Sequence, residues 1–478
     1  MNKQFSTPLY DALLSFARRE TVSLHVPGHK NGQLFPEKGI ELFQSVLPLD
    51  MTEITGMDDL HAPEGIIMEA EKLASEWFGT AKTFFLVNGS TSGNLAMILA
   101  TVGAGEKIII QRNCHKSIMH GIELAGALPI FLTPNWNAEK KRYTYPLEET
   151  IKDTIVHNQD AKAILLTYPD YFGEIIDLTP IIDLAHRYNM IVLIDEAHGC
   201  HFSLPSIPIQ SAVDLGADIV VQSAHKMTPA LTMTAYLHIR TERIDLTRLT
   251  HYLQIVQSSS PSYLLLASLD LARYYLATYS DKMAEEARLF IEQARKLFKE
   301  SPYWIVESHE DGDPFKCTLQ ATNRTTKQIQ QAFEGNKIFP ELVTENHLLF
   351  VFGLQPSFSL EQLEQAISHI NEELNNSKNS DKIMEEPLLF YEEKEVLALS
   401  YDEMKKRKTV WIDWEDSIGQ IAAEAIIPYP PGIPLIMKGE KITKKKREQV
   451  LKLLKEGHKL QPTSRKKGLY VFENGRRR

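Results

Sequence analysis

The chain alternates short apolar runs with amphipathic stretches of helical period, and this alternation is its strongest constraint on fold. Apolar runs bounded by turn residues fall at Thr83–Val87, Lys107–Gln111, Ala163–Tyr168, Met190–Asp195 and Asp218–Gln222. Segments such as Glu64–Phe78, Asn94–Thr101 and Thr179–Tyr188 repeat their apolar residues at helical spacing. Strands alternating with helices predict βαβ units and a mainly parallel sheet covered on both faces, an α/β fold. Ligands of such sheets gather where loops leave the carboxyl ends of strands. Residues just past each run are therefore the candidates for chemistry.

At 478 residues the chain exceeds what one core holds. The texture predicts an N-terminal arm over 1–50, a large domain over 51–280 and a smaller α/β domain over 281–374. A polar linker, Asn375–Asp381, then leads to a C-terminal domain over 382–478. Hydrophobic residues make up 43% and charged residues 24%, as in an ordinary globular enzyme. The net charge of −10 argues against a general nucleic-acid binder, although Lys441–Arg478 is rich in lysine and arginine. Such a run is first of all a solvated face. No apolar run is long enough to span a bilayer, and Met1–Tyr10 lacks a signal-peptide core, so the expectation is a cytoplasmic protein without membrane contact. Cys114, Cys200 and Cys317 lie far apart and supply neither a disulfide framework nor a metal site.

Three clusters sit at predicted strand ends. Asn88-Gly-Ser-Thr-Ser-Gly-Asn94 combines glycines, hydroxyls and a new helix N-terminus, a setting for an anion such as phosphate. Its plainer reading is a Ser/Thr helix cap. Asp195-Glu-Ala-His-Gly199 places a carboxylate where it can hold a cation or a protonated ring nitrogen, or merely cap a turn. The string Asp-Glu-Ala-His also occurs in helicases, but the phosphate loop they require is absent. Ser223-Ala-His-Lys226 ends on a lysine that either snorkels or, desolvated, serves as a Schiff-base nucleophile. Together the clusters offer an anion cup, an acid and an amine in the order that pyridoxal phosphate (PLP) requires.

The sequence resembles the prokaryotic ornithine/lysine/arginine decarboxylases of aspartate-aminotransferase-like fold, in the short Gram-positive form without an extra N-terminal domain. The resemblance is carried by HVPGHKNG (25–32), DDLHAPEGIIMEAE (58–71), FFLVNGSTSGN (84–94), RNCHKS (112–117), IDEAHG (194–199), SAHK (223–226), SSSPSY (258–263) and PYPPGIP (428–434). It implies PLP-dependent decarboxylation of a basic amino acid, arginine before lysine or ornithine. Lys226 would carry the cofactor, Asp195 would pair with its ring nitrogen, and His115 and Ala197 would press on its two faces. Ser90, Thr91, Ser223 and His225 would contact the phosphate, with His198 beside the cofactor. Ser259, in the serine run, would reach the phosphate of a neighbouring subunit, making a homodimer necessary. Glu424 and the PYPPG loop would close over the substrate. The sequence departs from the family pattern at Met227-Thr228, Met233, Gly56–Asp59 and Lys438, which puts side-chain recognition in question.

Two other functions fit part of these data. An aminotransferase or lyase would use the same clusters, but no arginine for an α-carboxylate is identifiable in the small domain. A PLP-binding regulatory protein that associates with nucleic acid would draw on the basic tail, and would bind in a strongly salt-dependent way.

Overall fold

In the computed structural model, strand and helix follow one another as the apolar runs predict. The structure describes residues 2–308, 312–377, 392–428, 432–457, 459–462 and 467–473. The chain divides into two units, residues 1–101 with 178–182 and 191–281, and the remainder.

The first unit is built on four adjacent strands. In chain order these are β1 (Lys82–Leu86), β2 (Ile191–Asp195), β3 (Ile219–Gln222) and β4 (Ala235–Ile239), in spatial order β1-β4-β3-β2. β2 and β3 run parallel, whereas β4 is antiparallel to both β1 and β3. Almost every residue of these strands is buried, which explains their continuous rather than alternating apolar character. The helices are α1 (Pro8–Ala17), α2 (Ile66–Phe78), α3 (Gly89–Thr101), α4 (Leu246–Val256) and α5 (Tyr263–Thr278). The N-terminal segment is anchored: Leu9 and Leu13 are fully buried, and Asp270 accepts the backbone N–H groups of Leu9 (3.1 Å) and Tyr10 (3.3 Å).

Helix α3 starts at Gly89, five residues before the predicted start at Asn94. Glycine, serine and threonine are poor helix formers, so periodicity alone does not reach this first turn. Close packing fixes its position instead. A Cβ on Gly93 would lie 2.8 Å from both Leu86 Cδ1 and Val221 Cγ1. Gly93→Ala is therefore expected to lower stability by about 1–3 kcal/mol through overpacking. A thermal midpoint equal to that of the wild type would contradict this.

The second unit holds its own run of four strands in the order Ala163–Thr167, Lys107–Gln111, Leu128–Leu132, Lys394–Val396, the first three parallel and the last antiparallel. A four-stranded antiparallel sheet joins Trp304–Val306, Lys316–Ala321, His347–Val351 and Leu342–Val343. Near the C-terminus, Trp414, Ile426, Leu435, Ile436, Val450 and Leu469 form a further apolar core.

Candidate active site

The carboxyl end of β2 carries Asp195, which is only 2% exposed. Its Oδ2 accepts a hydrogen bond from Asn94 Nδ2 at 2.9 Å, and its Oδ1 one from the backbone N–H of Ala197 at 3.2 Å. Asn94 projects from α3, so the helix that begins at Gly89 also fixes the acid's orientation. The sequence marks Asn94 only as part of a candidate anion cup and gives no sign of this pairing.

The adjacent Glu196 serves a different network. It is fully buried and accepts from Gln222 Nε2 (2.6 Å), the Ala212 N–H (2.7 Å) and Ser211 Oγ (2.8 Å), while burial pushes its carboxyl up to about 8. Gln222 Oε1 in turn accepts from His238 Nε2 at 3.0 Å, and His238 Nδ1 accepts from Thr83 Oγ1 at 2.9 Å. Burial brings His238 down to about 3 and so keeps the ring neutral. Thr83, His238 and Gln222 thereby tie β1, β4 and β3 together.

Past β3, residues 224–227 form one short helical turn. Lys226 is half-buried, and its Nζ lies 3.0 Å from Nε2 of the buried His198. An amine this close to an imidazole can pass a proton to it or take one back. His225 donates from Nδ1 to the Thr234 carbonyl at 2.9 Å. Ser223 is fully buried, and its Oγ has no hydrogen-bond partner among the described residues. A buried orphan hydroxyl is costly and is a ready donor for an anion.

Ser90 and Thr91 sit in the first turn of α3, where helical N–H groups have no intrahelical acceptor. Gly89, at φ 73°, donates its N–H to the Met233 carbonyl at 2.7 Å and so fastens the turn to the start of β4. Asn88 Oδ1 accepts from Ser258 N at 3.3 Å. Ser259, next in that run, is exposed.

His115 and Glu424 belong to the second unit. His115 is the N-cap of the helix Lys116–Ala125: its Nδ1 accepts from Ser117 N (3.3 Å) and bonds Ser117 Oγ (2.7 Å). Glu424 accepts from Tyr470 N at 2.8 Å. Of the PYPPG loop, Tyr429, Pro430 and Pro431 lie outside the described residues. Three residues before His115, Arg112 is completely buried and donates to Glu440 (2.7 and 2.8 Å), Glu395 (2.6 Å) and the carbonyls of Pro434 (2.7 Å) and Leu435 (3.3 Å). Lys446 completes the cluster, 2.8 Å from both Glu395 and Glu440. No local signal announces this cluster, since Arg112 and Glu440 are 328 residues apart. Among the described residues no group of side chains could hold a metal ion, and no helix is long and apolar enough to cross a membrane.

Fold and side chains define an α/β protein that presents an amine, an anchored carboxylate and a Gly/Ser/Thr-rich helix start beside its strand ends. Residues 7–315 match the family model for the Orn/Lys/Arg decarboxylase major domain, and residues 385–476 match that family's C-terminal domain. Two Bacillus subtilis proteins are similar over nearly their whole length. The uncharacterized protein YaaO is 40% identical over 94% of both chains, and an arginine decarboxylase is 35% identical over 95% of both. Among solved structures, the Francisella novicida lysine decarboxylase LdcF aligns with TM-score 0.80 at 19% identity, over 98% of this chain and 81% of its own. A serine palmitoyltransferase solved with PLP aligns with TM-score 0.52 at 14% identity, over 78% of this chain and 85% of its own. The fold is thus the α/β, aspartate-aminotransferase-like one expected from the sequence. The chain belongs to the Orn/Lys/Arg decarboxylase family and is an amino-acid decarboxylase.

Proposed function

We propose that this enzyme decarboxylates a basic amino acid, arginine in preference to lysine or ornithine, with PLP held covalently at Lys226 Nζ. The observation that carries this reading is the 3.0 Å Lys226–His198 pair, in one unit with the Asn94-anchored Asp195. The residues suit the cofactor. The orphan hydroxyl of Ser223 and the first turn of α3 with Ser90 and Thr91 supply donors for a phosphate, His225 is proposed as a further phosphate contact, and Asp195 supplies a fixed carboxyl for a ring nitrogen. His115 and Ala197 are proposed as the ring's packing partners, and Glu424 as a substrate contact. When bound, PLP supplies an electron sink for the bond pair left by the departing carboxylate.

The protein's own part is positional and acid–base. Asn94 and the Ala197 N–H hold the Asp195 carboxyl in one orientation, so it needs no reorganisation as charge develops. Loss of carbon dioxide must be matched by one proton delivered to the substrate carbon, and Lys226 Nζ with His198 Nε2 forms a pair able to hold it. The preference for arginine follows the similar arginine decarboxylase of Bacillus subtilis. A second copy of the chain is proposed to cover Val22, Leu24 and Leu42, which are 85%, 90% and 81% exposed, together with the serine run that includes Ser259. A cytoplasmic setting completes the reading.

The test is a substrate panel. The PLP-loaded protein is expected to release carbon dioxide and agmatine in equal amounts from arginine, with a higher kcat/KM than for lysine or ornithine. Release from none of the three would overturn the proposal, and a keto-acid product would point to transamination.

A further inference from the structure

Asp58 has an unusual backbone. Its φ is 67°, a left-handed conformation that side chains other than those of Gly, Asn and Asp seldom adopt. Its carboxylate accounts for this. Oδ1 accepts the backbone N–H groups of Asp59 (3.0 Å) and Glu64 (2.9 Å), and Oδ2 those of Gly65 and Ile67 (both 2.9 Å) and Met68 (3.4 Å). Gly65 occupies the N-cap position of α2 and has no side chain with which to cap it. Asp58 does so from seven residues upstream and closes residues 58–67 into a ring.

The ring is tied outward to one place. Tyr263 donates its hydroxyl to the Asp58 carbonyl at 2.6 Å, His61 Nε2 donates to the Ser258 carbonyl at 2.8 Å, and Gln254 Nε2 donates to the His61 carbonyl at 3.1 Å. The segment so gripped, 254–263, is the one that holds the anion cup. Val87 N donates to Gln257 Oε1 at 2.9 Å, and Ser258 N donates to Asn88 Oδ1 at 3.3 Å. Each link spans 2.6–3.3 Å, and all lie in the first unit. Three motifs widely separated in sequence thereby form one hydrogen-bonded chain: DDLHAPEG, the serine run and NGSTSGN.

We propose that Asp58 is a positioning residue for cofactor binding, which it controls by holding the 254–263 segment against Val87–Gly89. This deepens, and rests on, the assignment of the Asn88–Asn94 turn as a phosphate cup. Asp58 touches neither cofactor nor substrate in this role. It fixes the approach of two loops whose backbone must meet an anion within a few tenths of an ångström.

The experiment uses the full-length protein stripped of cofactor, with two variants. Asp58→Asn keeps the shape but turns one acceptor into a donor facing at least two N–H groups. Tyr263→Phe removes a single outward link and leaves the ring intact. PLP affinity is measured by fluorescence and absorbance titration, and amide hydrogen exchange is followed in the cofactor-free state. Asp58→Asn is expected to weaken PLP binding on the order of tenfold or more, with faster exchange at Asn88–Asn94 and Gln257–Ser262. Tyr263→Phe shifts both readouts in the same direction by less, and carries the test alone if Asp58→Asn does not fold. Unchanged PLP affinity, or faster exchange confined to 59–67, would overturn the proposal. If the wild type takes up no PLP, the cofactor assignment fails, while the exchange pattern still decides whether the ring controls the turn.

Discussion

In Lys226→Ala, decarboxylation is expected to fall by at least about a thousandfold, and the visible absorbance band of the cofactor-loaded protein to vanish on dialysis. The size of the effect follows from the proposed function, which gives one Nζ two tasks, covalent attachment and proton handling. Lys226→Arg should not rescue activity, because a guanidinium stays protonated and is not a nucleophile. His198→Ala is expected to lose less, on the order of a hundredfold, since it removes only one side of the 3.0 Å pair. The fold should tolerate the Lys226 changes, because the side chain is half-buried and lies beyond the last residue of β3. Carbon dioxide release by Lys226→Ala within about tenfold of the wild-type rate would remove the lysine from the chemistry.

Glu440→Gln is expected to have the largest effect on stability. Burial by itself raises the Glu440 carboxyl, but Arg112 and Lys446 more than offset this and bring it to about 2. Losing that charge leaves a fully buried guanidinium and Lys446 facing Glu395 alone, which costs about 3–5 kcal/mol. The thermal midpoint should fall on the order of 10 °C. The sign of the pH dependence is fixed as well. A carboxyl whose folded pKa lies below its unfolded 4.5 stabilises above pH 4.5, and that contribution fades as pH falls toward about 2. The acid limb of the stability curve should therefore flatten in the variant. An unchanged limb together with an unchanged midpoint would mean that the cluster is neutral to folding.

Much of the site is legible in one dimension because it is assembled from strand ends. Lys107–Gln111 has the predicted bounds, and Ala163–Thr167, Ile191–Asp195 and Ile219–Gln222 differ from prediction by one residue each. Fully buried strands declare themselves as apolar runs, and the polar residue that follows is where a ligand can be met. Local pattern does not report partners distant in sequence. Asn94 pairs with Asp195 across 101 positions, and nothing around it marks an amide for that duty. The reversal of β4 is equally silent, since parallel and antiparallel neighbours bury the same residue types. Asp58 shows the converse: its motif is conspicuous in the sequence, but only the backbone geometry reveals that its carboxylate gathers five N–H groups.

The reversal of β4 also sets a length that cannot be changed freely. Because that strand enters the sheet beside the ends of β1 and β3, with Ala235 opposite Leu86 and Tyr236 opposite Gln222, the chain leaving Lys226 must be back at Met233 in time to receive the Gly89 N–H. The span is further stapled by Leu231 N to Ser268 Oγ at 2.7 Å and by His225 to the Thr234 carbonyl at 2.9 Å. Inserting even one residue there would slacken the tether between the amine and the helix start, so this surface turn, unlike most, should refuse to grow.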